Sequence, residues 1–221
     1  MSTSIIYNPP TCNPQILHID NAIIIVNKPP GLLSVPGRGE LKKDCLITRI
    51  QQDYPEALIV HRLDMPTSGI LVLARSTEVH KKLSKLFQDR KVSKEYIAVV
   101  IGIMESTAGE IDLPLITDWP NRPKQMVDYE NGKPSKTKFE VILINKNDNT
   151  SRLKLTPITG RSHQLRVHLL SIGHRIVGDH LYADEASSEK LDSRLLLHAS
   201  TISFVHPTTQ SEISVNCPCD F

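Results

Sequence analysis

Residues 68–74 read SGILVLA, and Ile70-Leu71-Val72-Leu73-Ala74 is an unbroken apolar run. A strand with one face in water alternates apolar and polar residues. This run predicts instead a strand covered on both faces, at the centre of a sheet. It constrains the fold strongly, because the rest of the chain must supply both covering layers. The residues just before it, HRLDMPT at 61–67, contain a single carboxylate, Asp64, close to Arg62. A loop that feeds a rigid central strand is a common place for a reactive side chain.

The other segments fill in an α+β pattern. AIIIVNKPPG at 22–31 predicts a β-branched strand ended by a Pro-Pro-Gly turn. DCLITRIQQDY at 44–54 predicts a helix capped by Asp44. Ser76 is expected to cap the helix TEVHKKLSKLFQDR, whose Val79, Leu83, Leu86 and Phe87 form one apolar stripe with lysines opposite. KEYIAVVIG at 94–102 predicts a strand, and KTKFEVILI and RLKLTPI predict a strand pair closed by the turn NKNDNT. DLPLITDWPNRPKQ at 112–125 has prolines and no period, which predicts a long ordered loop. GRSHQLRVHLLSIGH at 160–174 predicts a helix starting after Gly160, with Leu165, Leu169 and Ile172 on one side. RLLLHASTISFVHPTTQSEISVN at 194–216 predicts a strand meander. Few regular βαβ units are present, so the sheet is expected to be mixed and largely antiparallel.

Composition narrows the function classes. The apolar fraction is 39% and the charged fraction 23%, as in a soluble globular chain. The longest apolar runs are too short to cross a bilayer, and the opening MSTSIIYNPP has no basic segment leading into an apolar one. A cytoplasmic protein is expected. The net charge is only +2, but Lys81, Lys82, Lys85, Arg90, Lys91 and Lys94 crowd one stretch. Arg122, Lys124, Lys133, Lys136, Lys138, Arg161 and Arg166 follow, and acids gather in DHLYADEASSEKLD at 179–192. A nearly neutral chain can still present one basic face suited to phosphate, although any single lysine is more simply a solvated surface residue.

Metal chemistry has little support. Cys217 and Cys219 form C-P-C, while Cys12 and Cys45 stand apart. Neither pattern has zinc spacing, and His163 and His168 are off the i, i+4 face of a zinc helix. Phosphate-loop, dinucleotide and hydrolase-triad motifs are absent from the sequence. On its own residues Asp64 reads as a turn aspartate or a partner of Arg62. A carboxylate working alone would suit attack at an electrophilic carbon, provided a guanidinium keeps it ionised, from Arg62, Arg161 or Arg166. Tyr96 reads either as a core tyrosine or as a flat surface under a nucleobase.

Taken together, HRLDMPTSGILVLA, SKEYIAVV, GRSHQLRVHLLSIGHRIVGDHLY, LLLHA and NKPPGLLSVPGR resemble, in order, the motifs of the RluA family of pseudouridine synthases. The segment LPLITDWPNRPKQ resembles the insertion of that family's dual-specificity branch. The resemblance implies a pseudouridine synthase fold built around a catalytic cleft, with one catalytic domain over 1–221 and no N-terminal S4-type RNA-binding domain. It implies isomerisation of uridine in RNA with no cofactor and no metal. The implied partners are the tRNA anticodon stem-loop, at uridine 32, and 23S rRNA, at uridine 746. The sequence does not fix the oligomeric state, and a monomer is expected. Asp64, Tyr96 and Arg166 take the family's catalytic positions, as the carboxylate, the stacking tyrosine and the arginine paired with the carboxylate. Arg62 takes the place of the arginine that enters the space of the everted base. His61, Leu63, Arg161, His163, Gln164, Arg122 and Lys124 are the expected substrate contacts. Rival readings are an RNA-binding module without catalysis and a metal-dependent nuclease using the histidines.

Overall fold

The computed structural model describes residues 7–183 and 194–221. Most of the acidic stretch singled out at 179–192 therefore lies outside the described residues. The chain divides into two compact units, Met1–Val92 with Ser203–Cys217, and Ser93–Ile202 with Pro218–Phe221.

In the first unit, β1 (Gln15–Ile19) pairs antiparallel with β2 (Ile23–Lys28). A short helix α1 (Leu46–Ile50) and a short strand β3 (Leu58–Ile59) follow. Strand β4 (Ser68–Ala74) pairs antiparallel with β2 and β3, and every one of its residues is buried. The uninterrupted apolar run thus becomes a covered strand, as expected. Helix α2 (Thr77–Gln88) begins where Ser76 Oγ accepts the Val79 N–H at 3.2 Å, and buries Val79 and Leu83. The Glu78–Lys82 and Lys85–Asp89 ion pairs each join residues one turn apart on its surface. Helix α1 departs from expectation. Its cap is Cys45, linked reciprocally with Thr48, because the Asp44 carboxylate is drawn into a fork with Arg49 at 2.7 Å on both oxygens.

In the second unit β5 (Ser93–Ile101), β6 (Ala108–Asp112), β7 (Leu115–Thr117), β8 (Gln125–Val127), β9 (Lys136–Asn145) and β10 (Thr150–Pro157) precede helix α3 (Gln164–Ser171) and strand β11 (Leu197–Val205). The sheet order here is β11-β5-β10-β9-β6. The hairpin β9–β10 turns over Lys146–Asn149, where the sequence placed it. The proline-rich insertion is not a structureless loop. Its ends pair as the small sheet β7–β8, with Leu115 opposite Val127 and Thr117 opposite Gln125. The prolines lie outside the paired positions, so no ladder N–H is lost. The core is Ala98, Val100, Leu153, Leu155, Leu165, Leu169, Ile176 and Leu197 with their neighbours. The last residues of β11 and all of β12 (Glu212–Asn216) belong to the first unit, where Ser203 and Ser214 hydroxyls meet at 2.9 Å.

Candidate active site

Asp64 sits on the loop that enters β4, and that loop is fastened along its length. The Asp64 carbonyl accepts the Thr67 N–H at 3.1 Å. Ser34 Oγ donates to the Leu63 carbonyl at 2.8 Å and accepts the Leu63 N–H at 3.2 Å. The Met65 carbonyl accepts from the Gly31 N–H at 2.9 Å, and the Gly31 backbone has φ 81°, a conformation glycine adopts without strain. It also accepts from Lys28 Nζ at 3.0 Å.

Lys28 is the unexpected member of this cluster. It is fully buried, yet its ammonium donates to the carbonyls of Leu32 at 2.7 Å, Pro29 at 3.0 Å and Met65 at 3.0 Å. All three donors are thereby used. Burial pushes its pKa down to about 7, and the negative charge of Asp64 opposes that fall. The NKPPG turn and the HRLDM loop are thus clamped around one buried cation that feels Asp64.

The neighbours of Asp64 divide between solvent and scaffold. Arg62 is exposed. Leu63 is buried. The His61 ring stacks on Phe87 at 4.5 Å, and its Nε2 accepts the Val72 N–H at 3.0 Å, which places the ring proton on Nδ1.

In the second unit, α3 starts at Gln164, four residues after Gly160, with His163 as a left-handed cap at φ 53°. Gln164 shapes the turn before it. Its Oε1 accepts from Thr159 Oγ1 at 2.7 Å and from the Arg161 N–H at 3.0 Å. Its Nε2 donates to the Lys136 carbonyl at 2.9 Å and to Thr137 Oγ1 at 3.0 Å. Gln164, expected as a substrate contact, spends its whole amide inside the fold. Arg161 stays exposed on that turn.

Arg166 is buried and forms a fork with Asp179, Nε at 2.8 Å and Nη2 at 2.7 Å. Its guanidinium lies 5.1 Å from the centre of the Tyr182 ring. The Tyr182 hydroxyl meets His163 Nδ1 at 2.8 Å and accepts the Gln125 N–H at 2.8 Å. Tyr182 thus ties the start of α3 to β8, next to Lys124. His168, also buried, bridges Thr137 Oγ1 at 2.9 Å and the Leu113 carbonyl at 3.0 Å, and burial holds its pKa below the ordinary imidazole value.

Tyr96 lies on β5 opposite Leu155, half-buried against the core. Two residues earlier, Lys94 is pushed below the usual lysine range by burial. Its Nζ would stand 3.6 Å from a Cβ built on Gly160, so the amine reaches the turn that precedes α3. Arg122 is exposed and Lys124 half-buried in the segment between β7 and β8. Asp64, Arg62, Leu63 and His61 therefore share one loop of the first unit. Arg161, His163, Gln164 and Arg166 share one turn and helix of the second. Among the described residues, no group of His, Cys, Asp and Glu is arranged to hold a metal ion.

Residues 22–171 match the model of the RNA pseudouridylate synthase family. The chain is 51% identical, over 97% of its length and 98% of the relative's, to the dual-specificity RNA pseudouridine synthase RluA of Escherichia coli K12. It is 48% identical to RluA of Yersinia pestis, over 93% of this chain and 99% of the other. Among solved structures, human RNA pseudouridylate synthase domain containing 1 superposes with a TM-score of 0.79 at 28% identity, covering 100% of this chain and 87% of that one. The chain belongs to the RluA family of RNA pseudouridylate synthases.

Within this RluA-family chain, the sequence motifs located the loop of Asp64 and the helix of Arg166. They gave no role to Lys28, Ser34, Asp179 or Tyr182. Each of these lay inside a quoted motif, but its partner (backbone carbonyls for Lys28 and Ser34, Arg166 thirteen residues back for Asp179, the Gln125 N–H for Tyr182) is set by the fold rather than by a local pattern. Ile172, placed on the apolar side of α3, is instead 36% exposed at its C-cap.

Proposed function

We propose that this chain converts uridine to pseudouridine in structured RNA, with Asp64, Tyr96 and Arg166 as its catalytic groups. The observation that carries the reading is the held position of Asp64, the one acidic residue of a loop fastened through Ser34, Gly31 and Lys28 and entering a fully buried strand. Such fastening fixes a reacting group before substrate arrives.

In the reaction the N1–C1′ bond of uridine breaks, C1′ joins C5, the C5 proton leaves, and N1 gains a proton. Electrons balance without a redox partner. Asp64 attacks ribose C1′, or removes the C2′ proton so that a glycal forms as the base leaves and is reprotonated at C2′ when C5 joins C1′. The target base first leaves the stack, at lower cost in a loop than in a duplex. Arg62, exposed beside Asp64, fills the space left behind. Tyr96 stacks on the uracil and helps move the C5 proton. Arg166, its guanidinium plane fixed by Asp179, supplies a fixed positive charge to the reaction. Arg161, Arg122 and Lys124 meet phosphate oxygens, with His61, Leu63 and His163 as further substrate contacts, while Gln164, its amide spent inside the fold, shapes the turn that carries Arg161.

The curated relatives are named dual-specificity enzymes, which supports two targets for this chain, uridine 32 of the tRNA anticodon loop and uridine 746 of 23S rRNA. It acts as a monomer in the cytoplasm, where both RNAs are found. No described helix is long and apolar enough to cross a membrane. The test is direct. Purified protein is incubated with an unmodified tRNA transcript and a 23S rRNA fragment, with and without EDTA, and pseudouridine is mapped by chemical labelling and primer extension. Modification at those two uridines, unaffected by EDTA and without strand cleavage, is expected. No pseudouridine in either RNA contradicts the proposal.

A further inference from the structure

The segment between β7 and β8 carries the chain's only tryptophan, Trp119, and leaves it 65% exposed. The Arg122 guanidinium lies 4.6 Å from the centre of that ring. Trp119 thus presents a flat aromatic surface to solvent beside a cation. The tip that presents it is closed by backbone bonds, Asp118 N–H to the Lys124 carbonyl at 3.0 Å, Asn121 N–H to the Asp118 carbonyl at 3.1 Å, and Lys124 N–H to the Asn121 carbonyl at 3.1 Å. The Asp118 carboxylate accepts from Asn121 Nδ2 at 2.9 and 3.1 Å, and with Arg122 and Lys124 beside this one acid the tip carries a net positive charge.

The tip is also tethered. At its base, the Gln125 N–H is held by Tyr182, whose hydroxyl meets His163 and whose ring lies beside Arg166. The platform therefore stands in fixed register with the helix that carries Arg166.

We propose that Trp119 and Arg122 form a second RNA contact, in which Trp119 stacks on an unpaired nucleobase outside the reacting uridine and Arg122 meets the adjoining phosphate. This rests on the RNA pseudouridine synthase reading above. A flat ring accepts any base, and the guanidinium requires the anionic backbone beside it, which together favour single-stranded RNA over a protein partner.

The sole tryptophan reports on its own stacking. Full-length protein is titrated with an unmodified tRNA anticodon stem-loop and with a blunt RNA duplex of equal length, and pseudouridine formation is assayed in parallel. The stem-loop should quench Trp119 emission saturably, while the duplex leaves it nearly unchanged. Trp119→Ala should weaken stem-loop binding by about five- to 150-fold, the range for one stacked base, with an unchanged melting temperature. Trp119→Phe should restore most of the affinity. Constant emission at saturating stem-loop, with pseudouridine still formed, overturns the platform and leaves the catalytic reading standing. Equal quenching by the duplex also overturns it. Failure to bind or modify any RNA strikes instead at the catalytic reading on which it rests.

Discussion

Arg166 and Asp179 form a two-point ion pair with both side chains buried, the carboxylate oxygens lying 2.8 and 2.7 Å from Nε and Nη2. The fork fixes the guanidinium plane, which a single contact would leave free to turn. Removing one partner strands a buried charge. Asp179→Ala should therefore cost about 3–5 kcal/mol of stability in denaturant titration. Arg166→Met should strongly reduce pseudouridine formation even under conditions where the variant is folded. A loss below about 1 kcal/mol for Asp179→Ala would mean that the pair does not anchor α3.

Lys28 gives the fold a pH signature. In the folded chain burial brings its pKa to about 7, against 10.5 for an ordinary lysine. Below pH 7 both folded and unfolded chains hold the proton, and the cost of burying the charge is present in full. Between pH 7 and 10.5 the unfolded chain binds more protons, so stability rises with pH, by up to about 5 kcal/mol. Lys28→Met should remove that rise from the stability profile. Asp64→Asn, by removing the opposing negative charge, should move the rise to lower pH. A profile of equal slope in wild type and Lys28→Met would contradict this.

Tyr182 joins two elements through one oxygen. Tyr182→Phe keeps the ring beside Arg166 but deprives the Gln125 N–H of its acceptor and His163 of its partner. A cost of about 1–3 kcal/mol is expected. Amide exchange at Gln125 should speed up markedly, while amides of β4 stay protected. Unchanged exchange at Gln125 would show that the Tyr182 hydroxyl does not hold β8 in place.

How much of this was legible in the chain follows from the range of each interaction. The covered strand β4 and the capped helix α2 could be read directly, because burial on both faces and a serine cap are local patterns. The β9–β10 hairpin was legible from its turn residues. The cap of α1 was misassigned because Arg49 competes for Asp44. The β7–β8 pair was hidden because each strand has only three residues, too few to show a period. Helix α3 was expected to be one-sided, yet Gln164, Arg166 and His168 are buried with Leu165, Val167 and Leu169. Their polarity is absorbed by Thr137, Thr159, Asp179 and the Leu113 carbonyl, partners that only the fold brings near. Lys28 was concealed in the same way within an apolar strand.

The central claim is that the carboxylate of Asp64 does the chemistry. Asp64→Asn keeps the shape of the side chain and removes its charge. Wild type and variant are compared for tritium release from RNA carrying uridine labelled at C5, with melting temperature as the control on folding. The account predicts a fall in rate of roughly a thousandfold or more with the fold retained. A folded Asp64→Asn protein that releases tritium at a rate near wild type would contradict it.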